Sequence, residues 1–300
     1  MAPHVYTSAQ ILDWSAPTPP GILAVLGDPV AHSLSPQLHT PALRACGIAG
    51  EYIRLEVKEA AFPATLRQLQ ALKFRGANVT IPHKFTALRS VDRVSDQARR
   101  LGAVNTILFH DGITEGRNSD GPGLVRAITE AFQTSLRDLR ILILGAGGGA
   151  GRAAAVQCAL EGCQRLILAN RSIEKLSALQ QQLAEFYPSH KTQIIPHAQS
   201  SLHQCLPLVD LVINATNLGM KADDAPVLAG ALLGNQHLAF DMVYRPLATP
   251  FLREAQATGA KISNGLPMLL HQGAVSFEWW FDRPAPLETM RAALLAAVAN

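Results

Sequence analysis

The chain has 300 residues, of which 48% are hydrophobic, and it carries a net charge of +3. This length and apolar content suit a two-domain globular protein, and the scattered basic residues argue against a nucleic-acid or membrane-surface partner. No segment reaches the roughly 18 uncharged apolar residues needed to span a bilayer, and the first residues do not read as a secretory leader. We therefore expect a cytoplasmic protein that binds neither nucleic acid nor membrane.

The four cysteines, Cys46, Cys158, Cys163 and Cys205, show no C-x-x-C pairing. In a long apolar chain such residues serve more often as small buried side chains than as disulfides or metal ligands. We therefore expect no metal site.

The first part of the chain alternates short apolar runs with helix-like stretches, from "GILAVLG" through "EYIRLEV" to "GANVTIP". Strand, helix, strand, helix, strand is the pattern of a parallel sheet. The segment "AVNTILFHDGITEGRNSDG" (103–121) predicts a hairpin, because two alternating segments flank Asp111 and Gly112. A helix follows it.

A second alternating series begins at "LRILILGAGGGAGRAA" and continues with "RLILANR", "QIIPHA", "DLVINAT" and "HLAFDMVY". These apolar runs suit strands buried on both faces, as in a doubly wound domain. The segments after residue 265 predict helices, and periodicity alone does not establish that they return to the first domain. The sequence therefore predicts an α/β protein with one domain at 1–121, completed by 265–300, and a second at 122–264.

A glycine-rich turn follows the first strand of the second series. Gly145, Gly147 and Ala150 form a G-x-G-x-x-A pattern between a strand and a helix, which is the setting that a dinucleotide-binding turn requires. We predict that Gly145 permits the tight turn, Gly147 lets the backbone approach a pyrophosphate, and Ala150 allows close packing of helix and strand. The helix N-terminus would offer N–H groups to the phosphates.

The next strand ends in "LILANRS", where an NAD site would keep a carboxylate but this chain has Asn170 and Arg171. A guanidinium can bind a 2′-phosphate, and Ser172 and Lys175 can join it, so the pattern favours NADP. Alternatively, this segment is an ordinary helix start with Ser172 as N-cap and Arg171 in solvent.

Seven further segments occur in an order that is typical of a known protein family. Together with the glycine-rich turn and "NRS", they are "GDPVAHSLSP", "GANVTIPHK", "GAVNT", "GRNSDG", "INATNLGM", "DMVYRPLATPFL" and "GLPMLLHQGA". Over about residues 21–275 the chain thus resembles the shikimate dehydrogenase family. The resemblance implies a substrate-binding catalytic α/β domain, a Rossmann domain for NADP, and a cleft between them.

The resemblance also implies particular site residues. It places the substrate carboxylate at Ser33 and Ser35, although "SLSP" taken alone more often marks a helix N-cap. The ring hydroxyl contacts fall on Thr80, Asn105, Asp120 and Gln272, with Tyr244 nearby. The implied cofactor contacts are Gly145, Ala146, Gly147, Gly148, Gly149, Asn170, Arg171, Ser172, Lys175, Met242 and Gly265.

Lys84 and Asp120 match the family's lysine and aspartate, and the resemblance implies that this pair handles the proton. Hydride transfer to a ketone leaves negative charge on oxygen, so a donor is needed there. Alternatively, Lys84 reaches solvent from a strand end, and Asp120 caps a helix beginning near Pro122. His83 is an unsuitable partner if the strand continues, because neighbouring residues then face opposite sides.

Three positions depart from the family pattern: Ser119 replaces a threonine, Asn217 a serine, and Pro267 a glycine. The expected function is NADPH-dependent reduction of 3-dehydroshikimate to shikimate, in aromatic amino acid biosynthesis, by a monomer or homodimer. The alternatives are a quinate/shikimate dehydrogenase of broader substrate and cofactor use, and a catalytically silent NADP-binding sensor. The absence of an acid at "NRS" favours the first reading.

Overall fold

The computed structural model describes residues 4–221, 223–228 and 232–299. The chain divides into two compact units. Unit 1 contains the residues up to Asp120 and those from Gln272 onward, and unit 2 runs from Gly121 to His271. The sequence-based domain boundaries lay after residues 121 and 264.

Unit 1 is an α/β layer structure. Its strands are β1 (Val5–Thr7), β2 (Leu23–Gly27), β3 (Tyr52–Glu56), β4 (Gly76–Val79), β5 (Arg93–Val94), β6 (Thr106–His110) and β7 (Ile113–Arg117). Its helices are α1 (Ser8–Leu12), α2 (Ser35–Ala45), α3 (Phe62–Ala71), α4 (Lys84–Ser90), α5 (Asp96–Leu101) and α12 (Leu287–Ala299). Two helices carry the chain between the units, namely α6 (Asp120–Phe132) and α11 (Leu266–Phe281).

The described residues of unit 1 form a seven-stranded sheet in the order β1-β3-β2-β4-β6-β7-β5. The strands from β1 to β4 are parallel, as their spacing in the sequence predicts, whereas β6 pairs antiparallel with both β4 and β7. The sheet is therefore mixed. The predicted hairpin is present, and its turn residues Asp111 and Gly112 have φ values of 46° and 78°, the left-handed conformation that a two-residue turn requires.

Helix α11 packs against this sheet through Trp280, which is fully buried. The indole lies directly over Gly76, where a β-carbon would collide with the ring, and its Nε1 donates to the carbonyl of Ile107 at 2.8 Å. Helix α12 packs on α2 in the same unit. The central strand β2 is consequently buried along its whole length.

Unit 2 has an all-parallel sheet of six described strands in the order β10-β9-β8-β11-β12-β13. Its strands are β8 (Arg140–Leu144), β9 (Arg165–Asn170), β10 (Thr192–Pro196), β11 (Leu211–Asn214), β12 (Leu238–Asp241) and β13 (Lys261–Ser263). Its remaining helices are α7 (Gly149–Leu160), α8 (Glu174–Ala184), α9 (Gln199–Cys205) and α10 (Pro250–Ala257). Counted from β8, this is the 3-2-1-4-5-6 order of a Rossmann fold.

Among the described helices, none combines the length and apolar character needed to cross a bilayer. Within the same described residues, His, Cys, Asp and Glu side chains form no group that could hold a metal ion. All four cysteines are free thiols.

One polar side chain in the core of unit 1 has an unusual environment. His39 of α2 is fully buried, and neither ring nitrogen has a hydrogen-bond partner. Its ring stacks on Tyr52 with the centroids 4.7 Å apart and lies 5.3 Å from the ring of Trp280. Because burial disfavours the charged form, it lowers the pKa of His39 from 6.5 to about 3.

We predict that His39 makes unit 1 sensitive to acid. The unfolded chain binds a proton near pH 6.5 while the folded chain does not, so the free energy of unfolding falls below that pH and continues to fall until about pH 3. Between about pH 7 and about pH 5 this loss amounts to about 2 kcal/mol. His39→Phe keeps an aromatic ring against Tyr52 and should remove that part of the loss.

Urea unfolding of both proteins at the two pH values measures the effect. Tryptophan fluorescence reports on unit 1 alone, because Trp14, Trp279 and Trp280 are the chain's three tryptophans and all lie there. An equal pH-dependent loss in His39→Phe would show that His39 is not responsible.

Candidate active site

The glycine-rich turn joins β8 to α7 at the carboxyl edge of the unit 2 sheet. Gly145 has a φ of 79°, and a β-carbon there would lie 2.6 Å from Thr216 Cγ2, so only glycine fits. Gly147 lies against the Asn170 side chain, where a β-carbon would approach the amide within 2.6 Å. Gly148 and Gly149 are exposed at the start of α7, and Gly148 is its N-cap with no side-chain cap. The residues present fit a dinucleotide pyrophosphate, because an uncapped helix N-terminus stands behind a turn of four glycines and the buried Ala146.

The packing role assigned to Ala150 is wrong, since the structure leaves Ala150 exposed. Gly151, one residue further, is the buried position, and a β-carbon there would collide with the carbonyl oxygen of Gly145. Helix α7 begins at Gly149 with Gly148 as its N-cap, and Gly151 is its first buried position.

The end of β9 presents the residues expected to select the cofactor. Asn170 Nδ2 donates to the carbonyl of Ser172 at 2.9 Å and so orders this corner. Arg171, Ser172 and Lys175 are all exposed. The alternative reading of Ser172 as N-cap is wrong, because α8 has Ile173 at its N-cap and no side-chain cap. Arg171 and Lys175 therefore remain available to an anion.

The other predicted cofactor residues lie where β12 and β13 end. Met242 N donates to the carbonyl of Asn214 at 2.9 Å, and Gly265 N donates to that of Val243 at 3.1 Å. A β-carbon on Gly265 would collide with the Met242 carbonyl. The structure thus brings Met242 and Gly265 together within unit 2. Pro267 occupies the second position of α11, where the first turn tolerates proline.

A buried carboxylate that we did not predict holds these loops. Asp241 is fully buried and accepts hydrogen bonds from Asn214 Nδ2 at 2.9 Å, Val243 N at 3.0 Å and Thr249 Oγ1 at 2.7 Å. Burial raises the pKa of Asp241. Tyr244, three residues along the same loop, is partly buried, and burial raises its pKa as well.

In unit 1, the two residues predicted to bind the substrate carboxylate, Ser33 and Ser35, lie at the start of α2. Ser35 N donates to Ser33 Oγ at 3.3 Å, and that hydroxyl donates to Ser35 Oγ at 3.1 Å. The N-cap of α2 is Leu34, which provides no side-chain cap, so the N-cap reading of "SLSP" is wrong for both serines. Arg54 of β3 lies behind this loop and donates to the carbonyl of Ser33.

Lys84 and Asp120 form an ion pair with Nζ 2.6 Å from Oδ2, and their side chains are 32% and 20% exposed. Lys84 is the first residue of α4 and Asp120 the first residue of α6. The alternative in which Asp120 caps a helix beginning near Pro122 is therefore wrong. Asn118 accepts a hydrogen bond from Asp120 N at 3.0 Å, and the carboxylate is left for the lysine.

His83 points away from this pair, although not for the reason we expected. Strand β4 ends at Val79, and the residues before Lys84 form a turn rather than a continued strand. The His83 ring is fully buried, with Nε2 2.6 Å from the carbonyl of Val57.

The predicted ring-binding amides are held by buried hydrogen bonds. Asn105 Oδ1 accepts from Ser119 N at 2.7 Å, which fixes the orientation of its amide because a backbone N–H can only donate. Ser119 Oγ also lies 3.4 Å from Gln272 Oε1. Asn105 and Gln272 are nearly buried, at 3% and 8% exposure.

A deeper layer of the same hydrogen-bond network lies beneath these amides. Burial raises the pKa of Tyr52, so its phenol stays protonated and donates to Asn78 Oδ1 at 2.8 Å. Asn78 Nδ2 then donates to Ser276 Oγ at 3.0 Å, and Ser276 reaches Ser119 at 3.1 Å. Thr80, directly after β4, makes no side-chain hydrogen bond with the described residues. Its hydroxyl is free for a ligand.

Sequence reasoning missed Arg54, Asp241, Gly151 and Ser276. Arg54 had a detectable signal, since in "EYIRLEV" it shares one face of the strand with Tyr52 while Ile53 and Leu55 take the other. The residues near Arg54 in the sequence do not show that helix α2 covers this face of the strand.

Family models match three stretches of the chain. The model described as "Shikimate dehydrogenase substrate binding domain" matches residues 25–107. "Shikimate / quinate 5-dehydrogenase" matches residues 126–222, and "Shikimate 5'-dehydrogenase C-terminal domain" matches residues 265–295.

Individual relatives match nearly end to end. "Shikimate dehydrogenase (NADP(+))" of Moorella thermoacetica is 40% identical over 282 residues, which cover 93% of this chain and 94% of the relative. The shikimate 5-dehydrogenase of Thermus thermophilus, solved with NADP(H) and shikimate, is 37% identical with a TM-score of 0.81 over 92% of this chain and 98% of that one. A quinate dehydrogenase from Corynebacterium glutamicum, solved with NAD, is 27% identical with a TM-score of 0.83 over 91% and 98%. With such identity to the Moorella thermoacetica enzyme along almost the whole of both chains, this protein belongs to the shikimate dehydrogenase family.

Proposed function

We propose that this protein reduces 3-dehydroshikimate to shikimate with NADPH, reversibly, in the shikimate pathway. The observation that carries the proposal is the ion pair of Lys84 and Asp120, 2.6 Å apart and partly exposed, in the same unit as the ring-binding amides. The curated relatives bear the name shikimate dehydrogenase (NADP(+)).

NADPH, when bound, supplies the hydride to the carbonyl carbon. Lys84 Nζ donates a proton to the oxygen, which becomes the hydroxyl of the product, and takes it back in the reverse direction. Asp120 holds the ammonium group by a charge-assisted hydrogen bond. Thr80, Asn105 and Gln272 would hold the ring hydroxyls.

The cofactor would be held by unit 2. The turn from Gly145 to Gly149 would bind the pyrophosphate, and Arg171 with Lys175 would bind the 2′-phosphate. Met242 and Gly265 would line the nicotinamide end, and Tyr244 would contact the substrate.

Broader use of quinate or NAD is the second candidate, since one structural neighbour is a quinate dehydrogenase solved with NAD. The absence of an acid after β9 argues for NADP. A silent NADP-binding sensor would have no need to preserve the Lys84–Asp120 pair.

Initial rates with shikimate and quinate, each against NADP and NAD, test the proposed function directly. We expect shikimate with NADP to give the highest kcat/KM of the four combinations. Absence of turnover with all four would support the sensor.

The first prediction here concerns the proton-handling pair. Lys84→Ala should lower kcat by roughly 10² to 10⁴-fold, because the developing alkoxide loses its donor. Asp120→Asn should also lower kcat, since Lys84 loses its ionic partner. The double variant should lose far less than the product of the two single losses, because the two residues act as one unit.

Lys58→Ala is the matched control, because Lys58 also pairs with an aspartate, Asp28, at 2.9 Å in unit 1 but is 68% exposed. It should keep the parental kcat. Dissociation constants for NADP should be unchanged in all these variants. A folded Lys84→Ala protein with kcat within a few-fold of the parent would refute the mechanism.

The second prediction concerns cofactor choice. Arg171→Ala should raise KM for NADP by about 10-fold, since a charge-assisted contact with phosphate is lost at an exposed site. KM for NAD in the same variant serves as the internal control and should stay the same. An equal rise in KM for both cofactors would mean that Arg171 does not bind the 2′-phosphate.

A further inference from the structure

Arg54 is a buried cation in the middle of the unit 1 sheet. It lies on β3 and is only 6% exposed. Its Nε and Nη2 donate to the carbonyl oxygen of Ser33 at 3.1 and 2.7 Å, and Nη2 also donates to Gln37 Oε1 at 2.8 Å. Both partners are neutral groups.

No carboxylate among the residues that the structure describes forms an ion pair with Arg54. Burial accordingly lowers the pKa of this guanidinium. Buried charges in proteins are normally paired, because removing an ion from water costs several kcal/mol that neutral hydrogen bonds only partly offset. A buried arginine without an ionic partner among the described residues therefore points to an anion supplied from outside the described chain.

The neighbouring loop is built to receive such an anion. Ser33, whose carbonyl Arg54 holds, uses its own hydroxyl to bond Ser35 Oγ at 3.1 Å. The Ser35 hydroxyl lies beside the phenol of Tyr52, and the uncapped α2 begins at this same serine. Hydroxyl donors, a helix N-terminus and a guanidinium thus meet at one loop, and all three favour negative charge.

We propose that Arg54 supplies the positive charge that binds the carboxylate of the substrate, an inference that rests on the proposed function. The two serines orient the carboxylate through hydroxyl groups. Arg54 contributes its charge, and its hold on the Ser33 carbonyl keeps the serines in place. Both effects stabilise bound substrate equally in the ground state and the transition state, so they act on KM.

A purely structural role would need only a donor for the Ser33 carbonyl, and a neutral side chain could provide one without the cost of burying charge. The two roles predict different dependence on substrate charge. A structural role affects any substrate that uses the loop, whereas a charge role affects only a substrate that carries a carboxylate.

The experiment compares shikimate with its neutral carboxamide as substrates for the parent and for Arg54→Met, which keeps the length and removes the charge. We expect KM for shikimate to rise by about 10- to 100-fold in the variant, as for loss of a charge-assisted contact, with kcat little changed. KM for the carboxamide should rise much less than KM for shikimate, because loss of the hold on the Ser33 carbonyl affects both substrates whereas loss of the charge affects only the carboxylate. Arg54→Lys should recover part of the loss, because it restores charge without the two-pronged geometry.

Arg44→Met is the matched control, since Arg44 lies in the last turn of α2, is 69% exposed and pairs with Glu51. It removes the same charge roughly 14 Å along the helix from Ser35, and it should leave both KM values unchanged. If Arg54→Met does not fold, Arg54→Gln, which keeps a donor for Ser33, carries the same comparison.

Equal increases in KM for the acid and the carboxamide would overturn the proposal and leave Arg54 as a structural support. A parent protein inactive on shikimate would instead refute the proposed function, so the two failures are distinguishable.

Discussion

The hydrogen-bonded ion pair between Lys84 and Asp120 depends on the surrounding structure of unit 1. A 2.6 Å contact between two partly exposed side chains persists only if both backbones are held, because free side chains would lose rotamer entropy to form it. Each residue begins a helix, and both helix starts are tied down. The carbonyl of Lys84 accepts Val104 N at 3.1 Å, and Asn118 accepts Asp120 N at 3.0 Å.

Near this ion pair lies a buried layer of polar but uncharged side chains. Asn78, Ser119 and Ser276 have neutral side chains, and the hydrogen bonds between them leave little rotational freedom. A charged group in that layer would need its own counter-ion and would compete with Asp120 for Lys84. His39 follows the same rule, because burial keeps its imidazole neutral. Asn78, Ser119, Ser276 and His39 thus add no charge beneath the Lys84–Asp120 pair.

Sequence patterns predicted the features that depend on local structure. The glycine-rich turn follows its strand, the hairpin turns at Asp111 and Gly112, and the parallel order of unit 2 follows from alternating strands and helices. Lys84 was placed at a strand end because "NVTIP" is apolar, yet β4 ends at Val79. The apolar run extends beyond the strand into the turn formed by residues 81–83.

Long-range features could not be predicted in this way. Asn78 and Ser276 are 198 residues apart in the sequence, and their contact exists only because α11 returns to unit 1. Arg54 alternates with apolar residues along β3, and it is buried because α2 lies on its face of the strand. The close packing predicted at Ala150 lies one residue further along α7, at Gly151. Helix starts are the least certain feature of a sequence-based assignment.

In the two proposals made above, the anionic groups are bound by different physics in the two units. Arg171 and Lys175 are exposed, so their attraction for a phosphate is strong at a distance but is screened by salt. Arg54 is 6% exposed, so its charge is screened little and acts only on a group that has left water and entered the loop. An exposed pair suits a multiply charged phosphate that must be captured and released. A buried guanidinium suits a single carboxylate whose position sets the ring against Lys84. Because Arg54 is buried, its charge would favour a carboxylate at one fixed position in the loop, and so would also fix where the substrate lies.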